Sequence, residues 1–167
     1  MTKPILVFGY GNLSRGDDAV GPLLLEYLEQ RADLSQIELQ TDFQLQIEHM
    51  LDLQNRELVI FVDASVAEDQ PFAFKRLKAC HDKSYTTHAM SPAALLQAFE
   101  SVTGQMPPPS YLLSIKAESF ELGEDVSQTT EDNLHQACRF AYDLLNHPVD
   151  EILKLINRPT DSIPVTS

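Results

Sequence analysis

The sequence predicts an α/β protein, a three-layer α/β/α sandwich around a mostly parallel sheet of about five strands, which is a typical size for such a sheet. The main reason is that strand-like apolar runs alternate with helical patterns along the chain, an order that favours parallel strands covered by helices on both faces. The run Leu58–Val62 is continuously apolar and, after Leu58, β-branched or aromatic, which is typical of a central strand buried on both faces. In such sheets the loops at the carboxyl ends of the strands form the functional edge.

The first predicted strand is the apolar run Ile5–Phe8, which ends at Gly9. Gly9 and Gly11 allow the tight turn that must follow, because glycine adopts backbone conformations that a side chain forbids. Asp17 and Asp18 then precede a helical pattern. The apolar positions of that helix are Val20, Leu23, Leu24, Tyr27 and Leu28.

The remaining elements continue the alternation. Further strands are predicted at 37–40, 58–62, 72–77 and 111–115, and a helical pattern at 45–53. Ser91 and Pro92 suit the N-cap and first position of another helix, whose apolar face would be Leu95, Phe99 and Val102. Thr130 is the predicted N-cap of the last long helix, with the buried stripe Leu134, Ala137, Cys138, Ala141 and Leu145. Pro148 should end this helix before a short segment that stops near Ile156.

Length and composition bound the possible functions. The 167 residues suit one domain, for which we predict the bounds 1–156, followed by a flexible tail over 157–167. The net charge of −13 argues against a partner nucleic acid. No apolar run approaches the ~20 residues of a membrane span, and no signal-peptide pattern opens the chain. We therefore expect a cytoplasmic monomer that contacts no membrane, with Cys80 and Cys138 as reduced thiols.

Three interpretations compete for the opening stretch. A dinucleotide fingerprint would need its third glycine at Ser14, and two carboxylates at the helix entrance would repel a pyrophosphate. A phosphate-binding P-loop is excluded, because its motif is absent from the chain. Asp17 and Asp18 could also merely complement the helix dipole, which is worth ~0.3–1 kcal/mol. We expect one of them to do only that and the other to have a metal-binding or catalytic role.

Asp18, Asp63 and His88 are the candidate site residues. Asp63 directly follows the central strand, so Asp18 and Asp63 should meet at the carboxyl edge of the sheet. His88 lies in a polar segment before a helix, whereas the other four histidines, His49, His81, His135 and His147, have helical or exposed contexts. Taken singly, an aspartate after a strand can cap a turn, and a lone histidine is usually structural. Together, two carboxylates and an imidazole suit nickel or zinc, with coordination positions left open.

Five segments, in this order, resemble the maturation endopeptidases of [NiFe]-hydrogenases. They are Gly9–Asn12, Arg15–Gly21, Phe61–Ala64, Thr87–Pro92 and Ala117–Gly123. The resemblance implies a parallel-type sheet between helices and an enzyme that removes the C-terminal extension of a hydrogenase large-subunit precursor after nickel insertion. It implies that Asp18, Asp63 and His88 are the catalytic, metal-contacting residues, and that the substrate supplies the nickel. Thr41–Leu45 with Glu48 is similar to the branch that serves cytosolic, NAD-reducing or bidirectional hydrogenases.

The mechanism that follows is metal-assisted peptide hydrolysis, with either Asp18 or Asp63 as general base. A Gly-x-Ser-x-Gly motif is absent, and Cys80 and Cys138 lie in strand-like and helical core patterns, so no serine or cysteine nucleophile is predicted. Two alternatives stay open at this point. One is a nickel-dependent binding module that inspects the large subunit without cutting it, and the other is a nicotinamide-dependent oxidoreductase.

Overall fold

The computed structural model describes residues 2–80, 90–118 and 120–157. The strands within this part are β1 (Ile5–Tyr10), β2 (Ile37–Asp42), β3 (Leu58–Ser65), β4 (Phe72–Leu77) and β5 (Ser110–Lys116). The α-helices are α1 (Val20–Arg31), α2 (Pro92–Thr103), α3 (Gln128–Leu145) and α4 (Val149–Ile156). Two 3₁₀ segments, Gly16–Ala19 and Ile47–Leu53, precede α1 and β3.

The described strands form one sheet in the order β2-β1-β3-β5-β4. The pairs β1–β2, β1–β3 and β3–β5 are parallel, and β4 runs antiparallel to β5 at one edge. The predicted mostly parallel sheet of about five strands is therefore confirmed. The carboxyl ends of β1 and β3 lie side by side at its centre, where the sequence placed the candidate site.

Alternation along the central strands builds two cores. One face carries Ile5, Val7, Ile60 and Val62, which cluster with buried residues of α1, α3 and α4. The other face carries Leu6, Phe8, Val59 and Phe61, which cluster with Leu53 of the second 3₁₀ segment and with Leu95 and Phe99 of α2. This gives the predicted three layers, because each face of the sheet is buried under its own helices.

Several boundaries differ from the prediction. Ala64 and Ser65 continue to pair with β5, so β3 extends beyond Val62 and Asp63 lies inside the strand. The pattern at 45–53 forms a 3₁₀ helix from Ile47, and its first turn is closed by a bond from the Gln46 N–H to His49 Nδ1 at 2.8 Å. Val102 does not belong to the buried face of α2, since it is 64% exposed.

The predicted cap of α3 was also wrong. Ser127 is the N-cap, and its hydroxyl accepts from the Thr130 N–H at 3.4 Å. At the other end α3 stops before Pro148, and α4 ends at Ile156, as predicted. The predicted tail falls almost wholly outside the described residues, so its flexibility and the single domain over 1–156 stay predictions. None of the helices in the described ranges combines the length and the apolar character needed to cross a lipid bilayer.

Candidate active site

Three glycines bring the start of α1 against the sheet. A Cβ on Gly9 would lie 2.7 Å from the carbonyl oxygen of Gly21, and one on Gly21 would lie 2.8 Å from that of Tyr10. Gly11 has a φ of +147°, and a Cβ there would collide with the carbonyl oxygen of Asp18. Because any side chain at these positions would push the elements apart, the glycines are what place Asp18 beside the carboxyl ends of β1 and β3.

Asp18 lies in the 3₁₀ turn before α1 and is half-buried. Its Oδ2 accepts a hydrogen bond from the Asn12 N–H at 2.8 Å, which folds the turn after β1 back onto this carboxylate. Desolvation raises the pKa of Asp18, while the Asn12 hydrogen bond and the charge of Arg15 oppose the rise. The carboxylate is therefore held in place without being neutralised by a buried cation.

Asp63 lies two residues after Phe61 on the same face of β3 and pairs in register with Ser114 of β5. The pKa of Asp63 is raised to about 7, mainly by burial and to a smaller extent by the negative charge of Asp18, against the opposing effect of hydrogen bonds from the Tyr10 hydroxyl and the Ala64 N–H. The Ala64 bond measures 2.8 Å. Burial and the charges of Asp63 and Asp18 also raise the pKa of Tyr10. The structure thus brings Asp18 and Asp63 into one electrostatic environment, in which Tyr10, the last residue of β1, donates its hydroxyl to Asp63.

His88, the third predicted site residue, lies outside the described residues, and its role stays a prediction. Within the described ranges, no group of three or more histidine, cysteine or acidic side chains is arranged to hold a metal ion. Asp18 and Asp63 are the part of the predicted set that can be placed. Carboxylate oxygens of this kind accept a divalent cation, a proton from water, or both in turn.

His49 is more than an exposed helical residue. It is only 7% exposed, accepts from the Gln46 N–H through Nδ1, and donates through Nε2 to Asp42 Oδ2 at 3.1 Å. Asp42 ends β2, in register with Tyr10 of β1. These partners require the neutral tautomer that carries its proton on Nε2. His49 therefore supports the turn after β2, a role that the sequence did not indicate.

The two cysteines have different settings. Cys80 is exposed and lies beyond the end of β4, so its predicted strand-like core position was wrong. Cys138 is buried in α3, and burial raises its pKa to about 12 despite the opposing charge of Arg31. Cys138 is thus a thiol at neutral pH and no nucleophile.

Asp17 does not merely complement the helix dipole, which corrects the sequence-based expectation for the second aspartate. It is fully buried and accepts hydrogen bonds from residues at the end of β5 and the start of α3. The sequence offered no local signal for this role, because those partners lie 101 to 113 positions away along the chain.

Asp63 links the stability of the protein to pH. Its folded-state pKa of about 7 lies above the ordinary value of an aspartate, so the native protein holds a proton that the unfolded chain releases. Stability therefore falls as the pH rises from about 4 to about 7. We expect the melting temperature of the wild-type protein to fall relative to that of Asp63→Asn between pH ~5 and ~8, because the amide does not titrate. Parallel pH profiles for the two proteins would contradict the raised pKa.

Known proteins are similar to this chain in both sequence and fold. No protein-family model matches the chain. The chain is 29% identical to the hydrogenase 2 maturation protease of Escherichia coli over 140 residues. This match covers 80% of this chain and 85% of that protein.

The solved structures that resemble this chain include other hydrogenase maturation proteases. The E. coli hydrogenase maturating endopeptidase HybD matches with a TM-score of 0.66 and 28% identity over 84% of this chain and 91% of that one. The fold is also that of the [NiFe] hydrogenase maturation protease HycI from Thermococcus kodakarensis, with a TM-score of 0.67, 20% identity, and coverage of 87% and 94%. In both sequence and fold, this chain is therefore similar to hydrogenase maturation proteases.

Proposed function

We propose that this chain is an endopeptidase that removes the C-terminal extension of a [NiFe]-hydrogenase large-subunit precursor after nickel insertion. The observation that carries the proposal is the pairing of Asp18 with Asp63 at the carboxyl edge of β1 and β3. Such an edge is where α/β proteins bind ligands. The similarity to hydrogenase maturation proteases gives this carboxylate pair its reaction.

The nickel in this scheme is cargo of the substrate, held there by cysteines. Asp18 and Asp63, together with His88, would contact it and so bring the scissile peptide bond to the edge of the sheet. The peptide carbonyl or an attacking water would then be polarised by the metal.

Asp63 is better suited than Asp18 to the role of general base. A base works best when its pKa lies near the working pH, and burial raises the pKa of Asp63 to about 7. The Tyr10 hydroxyl donates to this carboxylate and limits its rotation. Asp18, held by the Asn12 N–H at 2.8 Å, would serve mainly to contact the metal.

The substrate we propose is the large subunit of a cytosolic, NAD-reducing or bidirectional hydrogenase, processed in the cytoplasm by a monomeric enzyme. Support comes from the segment Thr41–Leu45, which resembles that branch. Thr41, Asp42 and Phe43 line a cavity of about 220 Å³ together with Gly11 and Leu13. Substrate residues that follow the metal-binding cysteines would pass this cavity, because it adjoins the turn that holds Asp18.

The nicotinamide-dependent alternative loses support from the geometry of that turn. In a dinucleotide site the backbone N–H groups after the first strand face the pyrophosphate. Here the Asn12 N–H donates to the Asp18 carboxylate instead, so this N–H does not face a ligand phosphate. The remaining alternative is a nickel-dependent binding module, which would use the same residues without cutting.

Intact-mass analysis of a nickel-loaded precursor after incubation with the protein distinguishes the endopeptidase from the binding module. A peptidase shortens the precursor by its C-terminal extension, and we expect this result for the wild-type protein but not for Asp18→Asn. A precursor that binds the wild-type protein yet keeps its full mass would establish the binding module.

A further inference from the structure

Asp17 is a buried carboxylate that receives a converging set of donors. It is 0% exposed. Its Oδ1 accepts from the Ser127 N–H at 2.7 Å, and its Oδ2 accepts from the Glu118 N–H at 2.8 Å. Two hydroxyls among the described residues also donate to Oδ2, those of Ser127 at 3.0 Å and Thr130 at 2.6 Å. These partners come from the segment between β5 and α3 and from the first turn of α3.

The same segment is also bonded to the chain just before Asp17. The Gly16 N–H donates to the Glu124 carbonyl at 3.1 Å, and the Gly123 N–H donates to the Ser14 carbonyl at 2.6 Å. Arg15 Nε donates to the Phe120 carbonyl at 3.2 Å. The loop 12–18 and the segment 117–127 are therefore bonded at several successive points, and Asp17 is the buried end of this contact.

Asp18 is the next residue, and its side chain leaves the backbone toward the site while that of Asp17 is buried. Because these donors of the described residues hold the Asp17 carboxylate, the backbone of the 3₁₀ turn has little freedom to rotate. The Asp18 carboxylate is then free to accept from the Asn12 N–H on the opposite side of the turn.

We propose that Asp17 is a positioning residue: it ties the loop that carries Asp18 to the segment 117–127 and thereby fixes the Asp18 carboxylate for the reaction. The inference rests on the proposed peptidase function. It also gives a role to the motif Ala117–Gly123, whose backbone, together with that of Glu124, supplies partners of this loop. An apolar side chain at this position would leave the Glu118 and Ser127 N–H groups without this acceptor, so the contact between the two segments depends on the Asp17 carboxylate.

Asp17→Asn tests the proposal, since it keeps the size of the side chain and changes its bonding. Whichever way the amide turns, its NH₂ group faces a backbone N–H, either that of Ser127 or that of Glu118. With a nickel-loaded precursor, at a temperature where the variant is fully folded, we expect kcat to fall by about 10- to 100-fold while KM changes little. We also expect the Asn12 amide to exchange faster with solvent, while the Val7 and Phe61 amides stay protected.

Thr130 provides a matched pair of variants in case Asp17→Asn fails to fold. Thr130→Val removes a single donor to Asp17 without changing the shape of the side chain, whereas Thr130→Ser retains the hydroxyl. We expect Thr130→Val to lower kcat and the protection of the Asn12 amide by a smaller factor than Asp17→Asn, and Thr130→Ser to restore both.

The outcomes separate this inference from the proposed function. A wild-type protein that leaves the precursor uncut defeats the proposed function and, with it, the positioning role. A wild-type protein that cuts, together with folded variants that cut equally fast and protect the Asn12 amide equally well, overturns the positioning role alone. A lower melting temperature with unchanged kcat and unchanged Asn12 exchange also overturns it, because Asp17 would then serve only stability.

Discussion

Asp18→Asn and Asp63→Asn should each abolish processing of the precursor while the protein stays folded. Each substitution removes a negative charge that the substrate's metal would meet, and the loss of a general base alone typically lowers a rate by about 100-fold or more. Folding should survive because both residues lie at the carboxyl end of the central strands, outside the two apolar clusters. His88→Ala, chosen from the sequence, should have the same effect. Initial cleavage rates, followed by mass, would measure processing, and thermal melts would show whether each variant is folded.

Asp132→Asn is a matched control for these variants. It makes the same chemical change at an exposed carboxylate on α3, which contacts Gln128 of its own helix. Cleavage by this protein should equal that of the wild type. Near-wild-type cleavage by Asp18→Asn or Asp63→Asn would remove that residue from the site, and global unfolding would make its role structural.

Phe61→Asp should prevent folding. Phe61 is 0% exposed and packs within the cluster between the sheet and α2. An unpaired charge there would lose several kcal/mol of hydration, which is comparable with the ~5–15 kcal/mol that stabilises a typical domain. Val59→Asp, at another fully buried position on the same face of β3, should also prevent folding. Circular dichroism and solubility would show the loss of structure.

The control for this prediction is Phe43→Asp, because Phe43 is 73% exposed. The same substitution at that position should leave a protein that melts cooperatively near the wild-type temperature. A soluble Phe61→Asp protein with a cooperative melt would contradict the position of β3 at the centre of the sheet.

Much of the architecture could be predicted because it depends on local patterns. Leu58–Val62 is apolar at every position, and the structure buries it from both faces. The errors arose where tertiary contacts override a local pattern. Val102 continues the helical apolar spacing but falls beyond the cluster that covers Phe99. Thr130 has the residue type of a helix cap, but it lies inside the first turn of α3, where its hydroxyl bonds to Asp17 and its N–H donates to the Ser127 cap.

The site could be predicted in outline for a different reason. Parallel strands end at the same edge, so Asp18 and Asp63 could be expected to meet there once the strands were placed. The raised pKa of Asp63 could not be predicted, because it depends on burial and on the neighbouring Asp18 and Tyr10. The role of Asp17 could not be predicted either, since its donors come from segments more than 100 residues away in the chain.

The proposed function makes cleavage a check on nickel insertion. Two carboxylates and an imidazole bind nickel less tightly than a cluster of thiolates. The metal should therefore stay with the precursor, and the isolated protein should carry little of it. A precursor without nickel offers Asp18, Asp63 and His88 nothing to contact.

The most direct test supplies the metal-free protein with nickel-loaded or nickel-free precursor and follows the loss of the extension by mass. We expect cleavage of the loaded precursor alone, at a rate that Asp18→Asn and Asp63→Asn abolish. Efficient cutting of the nickel-free precursor in the presence of a chelator would contradict the account, because the carboxylate pair would then act without the metal it is proposed to meet.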